Sequence, residues 1–597
     1  MQIIDWIVVV LYLIFTMAIG IYLSRKASKS MEDFFVSGRS LTWWLAGTSM
    51  AATTFSIDTP LYICGVVASR GIAGNWEWWS FGVAHIVLIY IFARLWRRAE
   101  VVTDAELTEI RYGGKMAAVL RATKAFIFAV PINCIGIGYA MLAMVKVVTA
   151  LELWQSLGLD VGEQGKLYSV IAVSIFVLVY SGFAGLWGVV VTDFFQFFLA
   201  LFGAIVVATV AVNHVGGIHE LVPQVQQATE IDVLSLVPLE KGAGGLFGWR
   251  WSDVAGISLS TFSAYLMVQW WSFRRSDGGG EFIQRLISVK DEAEAEKAAW
   301  FFNVLNYIIR TWPWILVALA SITIYPNLED PELGYPKLML DFLPPVILGL
   351  VVASLIAAFM STVSTSINWG ASYITNDLYR RFFAPDASQE QLVFAGRVAS
   401  VLVTFLGAIA AFFASDISTV FRLVIAIGTG PGLVLILRWY WWRINAAAEL
   451  AAMVGGFLIG CLSLSGLNIF PADFGLKLVF ISGFTGIIWI TTMLLTAPES
   501  PETLNSFYLR VRPAGIGWRK QREETGVEPL QNMRLDILKT IASIFLLFGL
   551  MLSIGGFLLL QSSIAWIALI FAVIGGFWLR NLNKQRLLNM SRPGIDR

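Results

Sequence analysis

Apolar stretches of eighteen or more residues recur along almost the whole of this sequence, and this feature constrains its fold most strongly. A stretch of that length crosses the hydrocarbon core of a bilayer as a helix. A segment within lipid has to satisfy its own backbone hydrogen bonds, which leaves helices as the choice for segments of this length. Only 14% of the 597 residues are charged, against roughly 25% in soluble domains. The sequence therefore predicts an all-α polytopic membrane protein.

The apolar pattern predicts about fifteen spans. Asp5 stands where a signal peptide would carry its cationic region, and the basic residues follow the first apolar run, so the first span is interpreted as a retained helix. The predicted spans lie within 5–24, 43–70, 75–96, 118–150, 165–183, 186–212, 254–276, 298–325, 344–376, 395–414, 416–437, 447–470, 475–497, 535–560 and 563–580.

Loop charges predict the orientation, because Lys and Arg accumulate on the cytoplasmic side of a membrane. With the N-terminus outside, the predicted inside loops contain SRKASK, LWRRAE, FRRS, LYRRF, RWYWWR, WRKQR and RNLNKQR. In the longest predicted outside loop, 213–253, the only Lys and Arg residues are Lys241 and Arg250. We expect a multi-pass protein of the cell membrane with its N-terminus outside and its C-terminus in the cytoplasm.

Two predicted spans are discontinuous. The second contains Asp58, Thr59 and Pro60 in its middle, and Pro60 removes a backbone donor and disfavours helix at the preceding residue. The seventh ends in WWSFRRSDGGGEFIQRL, whose three consecutive glycines, 278–280, do not favour a regular helix. The breaks are five spans apart, and this odd offset places them in opposite orientations. That is the pattern of a transporter built from two inverted five-helix repeats, each beginning with a broken helix.

This architecture predicts a division of the chain into seven parts. They are an extra N-terminal helix (1–30), a first repeat (41–212), an extracellular loop (213–253), a second repeat (254–438), two accessory spans (447–497), a cytoplasmic linker without clear periodicity (498–534), and a C-terminal helical pair with its tail (535–597).

Hydroxyl residues of the ninth span are candidates for binding a cation. Ala358, Ser361 and Thr362 stand at i, i+3 and i+4, and Ser361, Ser364 and Thr365 repeat that spacing, so all share one helix face. Sodium is a hard cation that prefers oxygen ligands. The alternative is a packing face whose hydroxyls bond back to their own helix.

Asp193 lies among aromatic and aliphatic residues in VVVTDFFQFF of the sixth span. A carboxylate in such a position is costly and is usually functional. It could neutralise a bound cation, or it could cap a helix at the membrane interface.

The sequence also resembles the sodium:solute symporters, which include sodium/proline, sodium/glucose, sodium/iodide and sodium/sialic acid carriers. The order and spacing of several segments together carry the resemblance. They are DFFVSGRSLTWWLAG at 33–47, VVTDAELTEIRYG at 101–113, GLWGVVVTDFFQ at 185–196, IQRLISVKDEAEAEKAA at 283–299, FMSTVSTSINWGASYITNDLYRRF at 359–382 and GPGLVLILRWYWWRINAAAEL at 430–450. The resemblance implies the LeuT-type five-plus-five inverted-repeat fold, with one extra N-terminal helix and about four C-terminal helices.

The resemblance also implies sodium sites. The positions that match the family's main site are Thr54, Ile57, Ala358, Ser361 and Thr362. Some members bind a second sodium ion, and the positions that match it are Asp193, Ser361, Ser364 and Thr365. Members with one sodium often lack part of this second set, whereas this sequence has matching residues at each position, so the resemblance implies one sodium ion and favours a second.

Solute-binding residues are expected between the two breaks and the third core helix. The candidates are Ser56, Asp58, Thr59, Glu77, Asn133, Arg274, Arg275 and Asp277. Family members commonly lack RRSDGGG and show a different pattern at FSIDTP, so the solute does not transfer from the resemblance. Arginines at the break favour a carboxylate or another anion, and Asp58 could meet an amine. Alternatively, the arginines mark the cytoplasmic end of the helix, and Glu77 is a solvated acid in an interfacial aromatic belt.

The sequence thus predicts a secondary active transporter that couples inward sodium flow to uptake of a small polar or anionic solute. Its expected partners are that solute and the lipid bilayer; the net charge of +1 gives no basis for nucleic acid binding, and the oligomeric state stays open. No nucleophile–base pair, zinc-binding helix or phosphate loop indicates an enzyme. The alternatives are a proton-coupled carrier of the same fold and a non-transporting sensor.

Overall fold

A computed structural model describes residues 1–27, 30–181, 185–241, 249–414, 416–464 and 469–590. Nearly all of this is helical. Up to the first long loop, the helices are α1 (Ile3–Ala27), α2 (Met31–Val36), α3 (Trp43–Thr53), α4 (Asp58–Arg70), α5 (Ile72–Ala99), α6 (Leu107–Arg111), α7 (Gly114–Ala150), α8 (Gly165–Ser181), α9 (Gly185–His214) and α10 (Ile218–Ala228).

Two short strands, β1 (Leu239–Lys241) and β2 (Trp249–Trp251), pair antiparallel with Glu240 opposite Arg250. The remaining helices are α11 (259–272), α12 (Gly280–Ile287), α13 (Glu292–Ile324), α14 (Gly334–Phe342), α15 (Ile347–Phe383), α16 (Gln389–Phe413), α17 (Ile417–Gly428), α18 (Gly432–Tyr440), α19 (Ala446–Leu462), α20 (Phe474–Leu495), α21 (Pro501–Val511), α22 (Arg519–Thr525), α23 (Met533–Leu558) and α24 (Ser562–Met590).

Each predicted span contains helix among its described residues, but not every one of these helices is long enough to cross a membrane. In the described part of the chain ten helices are long and apolar enough to cross a membrane, or eleven if the bent pair α3–α4 is one span. Three others, at 165–178, α17 and α19, are apolar but shorter, and α11 is interrupted by a π-helical turn. The all-α membrane architecture is confirmed, and the number of fifteen spans stays a prediction.

The first break separates α3 from α4, which meet at an angle of 53°. Residues 55 and 56 have no helical structure. Pro60 lies in the first turn of α4, where its missing N–H costs no helical hydrogen bond. The proline therefore marks where the second half-helix begins.

The second break runs from Phe273, which is extended, to Gly279. Gly278 and Gly279 have φ of +135° and +75°, in the region that favours glycine. At Gly280, a Cβ atom would lie only 2.1 Å from the indole nitrogen of Trp369. The triple glycine thus serves both the turn and the close approach of α12 to α15.

The helix α15 is buried along most of its length, from Leu348 to Ser372. Asp5 of α1 holds its first turn, since one carboxylate oxygen accepts hydrogen bonds from the backbone N–H groups of Val346 (2.8 Å) and Gly349 (3.1 Å). These N–H groups would otherwise be unsatisfied at a helix N-terminus. The extra N-terminal helix therefore anchors the helix that carries the hydroxyl face.

The segment 498–534, predicted as a linker without periodicity, is instead folded against the helical core. It contains α21, a 3-10 turn at Ile516–Trp518 and α22. Ser500 caps α21 by accepting from Thr503 N, and Pro501 follows at the first helical position. Phe507 and Trp518 are buried. The prediction missed this helical start signal because the segment is charged and lacks a long apolar run.

Candidate functional site

A cavity of about 250 Å³ lies between the two broken helices, with walls from α5, α7, α13, α15 and α17. It receives side chains from both breaks. Six of the predicted solute-binding residues line it: Ser56, Asp58, Thr59, Asn133, Arg274 and Arg275.

Asp277 does not line this cavity. Its carboxylate accepts hydrogen bonds from Arg438 Nη2 at 2.7 Å and from Trp439 Nε1 at 3.0 Å, both on α18. Its backbone oxygen accepts from Trp96 Nε1 at 2.7 Å. The turn before the glycines directs Asp277 away from the cavity, so this residue fixes the break to α18 and α5.

Sequence reasoning missed several cavity residues. They are chiefly Tyr62, Trp78, His85, Tyr139, Glu281, Asn306, Arg310 and Trp369. An intramembrane ionisable residue is a functional candidate by default. That criterion would have selected Arg310, which is 3% exposed, whereas the aromatic residues carry no comparable signal.

The hydroxyl face of α15 meets the first break. Thr362 Oγ1 donates to the backbone oxygen of Thr53 at 3.0 Å, and the hydroxyls of Thr365 and Thr53 lie 3.2 Å apart. Thr54 Oγ1 donates to Asn306 Oδ1 at 2.9 Å. Oxygen atoms from the end of α3, from α15 and from α13 therefore meet at the edge of the cavity.

The two apolar positions of the predicted sodium set are also buried: Ile57, immediately before α4, and Ala358, one turn before Ser361 on α15. Their side chains carry no oxygen, so only their backbone carbonyls could bind a cation.

Asp193 lies inside α9 and is completely buried, which excludes the interfacial cap. It accepts hydrogen bonds from Ser361 Oγ at 2.6 Å and from Ser49 Oγ at 2.5 Å. Ser364 Oγ instead donates back to Ser361 O at 3.2 Å, the pattern of the packing alternative. Of the predicted second set, Asp193 and Ser361 are in direct contact.

A fixed cation, Arg285, lies beside Asp193. Its Nη2 is 3.7 Å from the Asp193 carboxylate and donates to Thr365 Oγ1 at 2.6 Å. Its Nε donates to Ser49 Oγ at 3.1 Å. Arg285 belongs to the IQRLIS segment of α12, and sequence reasoning assigned it no role. The charge of Asp193 is thus already countered by the protein.

The two arginines of the second break differ in their surroundings. Arg275 forms an ion pair with Glu281. Arg274 is 4% exposed, and its Nε and Nη1 have no hydrogen-bond partner among the described residues. Its guanidinium lies 5.5 Å from the ring centres of Phe128 and Phe273. Arg274 is therefore inside the protein at the cavity wall and does not mark a solvated helix end.

The interpretation of Glu77 as a solvated acid is wrong, because Glu77 is completely buried. Its carboxylate contacts Arg70 at 2.7 Å and Arg422 at 2.8 Å. It also accepts hydrogen bonds from the hydroxyls of Tyr62 (2.6 Å) and Tyr265 (3.1 Å). We call these five residues the Glu77 cluster; they join α4, α5, α11 and α17.

A second cluster lies at the opposite end of α5. There Arg438 bridges Asp277 (2.7 Å) and Glu449 (2.9 Å), and Trp96 binds the backbone of Asp277. Trp96 follows Glu77 by nineteen residues of α5, which corresponds to roughly 28 Å of helix. Ion-paired clusters therefore lie near both ends of α5, and the cavity-lining residues Trp78, Phe81 and His85 lie between them in the sequence.

Two broken helices enclose a cavity that receives charged and polar side chains from both breaks, within a bundle of apolar helices, and a hydroxyl-bearing helix docks on the first break. This arrangement defines a secondary transporter with the LeuT-type inverted-repeat fold. Comparison with known proteins narrows this class: the sodium:solute symporter family model matches residues 34–456. The chain belongs to the sodium:solute symporter family and is a transporter, not an enzyme.

Relatives in the family transport different solutes. A sodium/glucose cotransporter of Vibrio parahaemolyticus is 26% identical over 484 residues, covering 76% of this chain and 83% of the relative. A sodium/sialic acid symporter of Aliivibrio fischeri is 25% identical over 529 residues, covering 84% of this chain and 94% of the relative.

The fold is also that of a solved transporter. A substrate-bound, outward-open Na⁺-coupled sialic acid symporter superimposes with a TM-score of 0.65 at 21% identity, covering 83% of this chain and 98% of the other. At this identity the likeness establishes the fold alone.

Proposed function

We propose that this protein couples inward sodium flow to the uptake of a small polar or anionic solute by alternating access. The observation that carries the proposal is the contact of Thr362 Oγ1 with the backbone oxygen of Thr53. It brings the hydroxyl face of α15 against the break of the first repeat, beside the cavity. A cation bound between them would link sodium occupancy to the geometry of the solute site.

The proposed first sodium site comprises Thr54, Ile57, Ala358, Ser361 and Thr362. Its support is the donor chemistry: hydroxyls of α15 and backbone carbonyls at a helix break are the oxygen ligands that a hard cation prefers. In this proposal sodium is transported cargo. Its binding favours the arrangement in which α15 and the first break are in contact, and coupling follows if sodium and solute each bind more tightly when the other is present.

A second sodium ion at Asp193, Ser361, Ser364 and Thr365 is less well supported. Arg285 already donates to Thr365 and lies beside Asp193, and a second cation there would be repelled by the guanidinium. We propose one sodium ion in this conformation. A second would require a conformation in which Arg285 has moved away from Asp193.

The membrane sidedness proposed here follows the loop charges, with 213–253 outside and 498–534 in the cytoplasm. The two repeats are proposed to comprise 41–212 and 254–438. The Glu77 cluster then lies towards the outside, and the Asp277–Arg438–Glu449 cluster lies towards the cytoplasm.

Uptake into proteoliposomes tests the proposal. Labelled amino acids, sugars and organic acids would be supplied with an inward sodium gradient, with an equal potassium gradient, or with an inward proton gradient. Accumulation that needs sodium supports the proposed function. Accumulation driven by protons in potassium would favour the proton-coupled alternative, and no accumulation of any solute would favour a sensor.

A further inference from the structure

Arg274 differs from the other two arginines that line the cavity, Arg275 and Arg310. Arg275 is paired with Glu281, and Arg310 donates to the backbone oxygen of Ala51 at 3.2 Å. Arg274 has neither an ion pair nor a hydrogen bond through Nε or Nη1 within the described part of the chain. A buried charge without a partner costs several kcal/mol, and an arginine does not escape that cost by losing its proton.

The position of Arg274 is fixed by its backbone and its aromatic neighbours. The backbone N–H of Arg274 donates to the backbone oxygen of Gly428 at 2.8 Å, which connects the second break to the end of α17. Aromatic rings surround the guanidinium, with Trp369 at 5.8 Å in addition to Phe128 and Phe273. Such rings stabilise a cation through their faces but do not satisfy its N–H groups. Nε and Nη1 are therefore buried donors without an acceptor, in a residue that lines the cavity.

The net charge of the cavity wall also favours an anionic ligand. Three arginines line it, Arg274, Arg275 and Arg310, against two carboxylates, Asp58 and Glu281. The excess of one positive charge favours a ligand with one negative charge. Sodium at the neighbouring first site would add to this positive potential.

We infer that the solute carries a carboxylate, which binds the guanidinium of Arg274. This inference rests on the proposed function, since it assigns the solute class of the same cavity. Arginine presents a planar set of donors that matches a carboxylate, and one carboxylate restores both the missing charge and the missing hydrogen bonds. The solute is therefore an organic monoanion, and not an uncharged sugar.

Asp58 gives the inference a second contact point. It belongs to the first break, whereas Arg274 belongs to the second, and both line the cavity. Asp58 Oδ1 is buried and has no hydrogen-bond partner among the described residues. A hydroxyl group on the solute would satisfy it. A hydroxy carboxylate would thus contact both repeats at once, which couples solute binding to their relative position.

The test uses the full chain in proteoliposomes with an inward sodium gradient, supplied with a mixture of matched solutes. The mixture contains D-gluconate with D-glucose, L-lactate with lactamide, and N-acetylneuraminate with N-acetylmannosamine, in a background of soluble cell metabolites. Vesicle contents are identified by mass spectrometry. Sodium-dependent enrichment confined to carboxylates is the expected result. Enrichment of uncharged members at equal or greater rates would overturn the inference while leaving the proposed function intact.

Variants at Arg274 localise the effect. Arg274→Gln should reduce uptake of the enriched carboxylate at least tenfold, and Arg274→Lys, which keeps the charge but not the planar donor set, should reduce it less. Arg519→Gln, on the exposed side of α22, should leave uptake unchanged. Sodium-dependent thermal stabilisation serves as a separate readout that Arg274→Gln is folded and retains its sodium site.

The outcomes separate the two claims. Uptake by Arg274→Gln within threefold of the unmodified protein would overturn the assignment to Arg274. If nothing is enriched and sodium gives no thermal stabilisation, the proposed function fails, and the inference about the solute fails with it.

Discussion

Ser361 occupies a position where two proposed roles meet, because its hydroxyl belongs to the first sodium set and also donates to Asp193. Replacing Ser361 with Ala removes one oxygen ligand from the sodium site. We expect the sodium concentration for half-maximal uptake to rise about tenfold, which corresponds to ~1.4 kcal/mol of lost binding free energy. Sodium titration of uptake measures this change.

Ser400→Ala is a matched control for Ser361→Ala. Ser400 is a buried serine of α16 whose hydroxyl donates to Gly396 O at 2.9 Å within its own helix. Its replacement should leave the sodium dependence unchanged. Equal sodium dependence in Ser361→Ala and the unmodified protein would remove Ser361 from the site.

Asp5 stabilises a helix that is remote in the sequence, because its carboxylate, on α1, caps the N-terminus of α15. Its replacement by Ala would leave two backbone N–H groups at the start of α15 without the acceptor that Asp5 provides. Loss of a cap costs ~1 kcal/mol or somewhat more, so we expect a lower Tm in detergent. Asp5→Asn retains an oxygen acceptor and should lie between Asp5→Ala and the unmodified protein. No change of Tm in Asp5→Ala would contradict the role of the cap.

Glu109 of α6 links pH to stability at the end of the protein where α15 finishes. Burial alone would raise the pKa of Glu109, but hydrogen bonds from Arg381 and Arg121 outweigh it and hold this pKa below 4.5. A depressed folded pKa gives stability above the unfolded value, and this stability is lost as the pH falls through the folded pKa. Because Glu109 is partly exposed, its contribution is roughly 0.5 kcal/mol.

Glu109→Gln isolates this contribution. At neutral pH the variant should have a slightly lower Tm than the unmodified protein. The difference should shrink as the pH falls below the unfolded pKa and disappear once the pH is below the depressed folded pKa, where Glu109 is protonated in both states. The measurement is the Tm difference between the two proteins across pH. A difference that persists in acid would show that the variant lost packing and not charge.

At the scale of elements, the segment 498–534 reaches the cluster at one end of the cavity. Trp518 Nε1 donates to Trp439 O at 2.8 Å, and Trp439 in turn binds Asp277. Arg111 lies 5.0 Å from the Trp518 ring and donates to Arg438 O at 2.7 Å. The folded segment thus stabilises α18 in the position that holds the second break.

Trp518→Ala tests that role. Removal of a fully buried tryptophan costs ~3 kcal/mol or more, and Trp518 is 1% exposed. We expect a large drop in Tm, and weaker protection of α18 in hydrogen exchange. Ile516 lies in the same 3-10 turn but is 97% exposed. Ile516→Ala should therefore change neither the Tm nor the hydrogen exchange of α18. Equal effects of the two substitutions would show that the segment is not packed as described.

The two breaks and the hydroxyl face could be predicted because each has a local signal: a proline after Asp58–Thr59, three glycines in succession, and helical spacing of hydroxyls. The ion-paired clusters could not, since each contains partners that are remote in sequence. Glu77 and Arg422 are 345 residues apart, and the aromatic neighbours of Glu77 pointed instead to a membrane interface. Arg285 stood inside a recognised segment, yet only the packing of α12 against α3 and α15 reveals what it contacts.

At the scale of the whole molecule, the proposed alternating access would require the two ion-paired clusters to open in turn. The Glu77 cluster joins α17 to α4, α5 and α11 next to Phe421 and Val424, which line the cavity. Arg422→Gln removes one contact of Glu77 while leaving the ion pair with Arg70, so no charge is left unpaired. We expect this variant to favour opening at the end of the Glu77 cluster.

Trp439→Phe is the counterpart at the other end, because it removes one hydrogen bond to Asp277 and keeps Arg438 in place. It should favour opening at that end. A two-state equilibrium transmits such a bias to the whole cavity, since 1.4 kcal/mol shifts the ratio of conformations about tenfold. Seen from one side of the membrane, Arg422→Gln and Trp439→Phe should therefore have opposite effects: one should increase access to the cavity and the other should decrease it.

Thiol labelling measures this directly. Val424→Cys, in a variant whose native Cys64, Cys134 and Cys461 are serines, places a reporter in the cavity wall. An impermeant reagent applied from the side of the Glu77 cluster should label it several-fold faster with Arg422→Gln and more slowly with Trp439→Phe. Adding sodium should move the rate in one consistent direction in all three backgrounds, because one ion site acts on a single equilibrium between conformations. Faster labelling in both variants would indicate general loosening and would contradict two alternately opening ends.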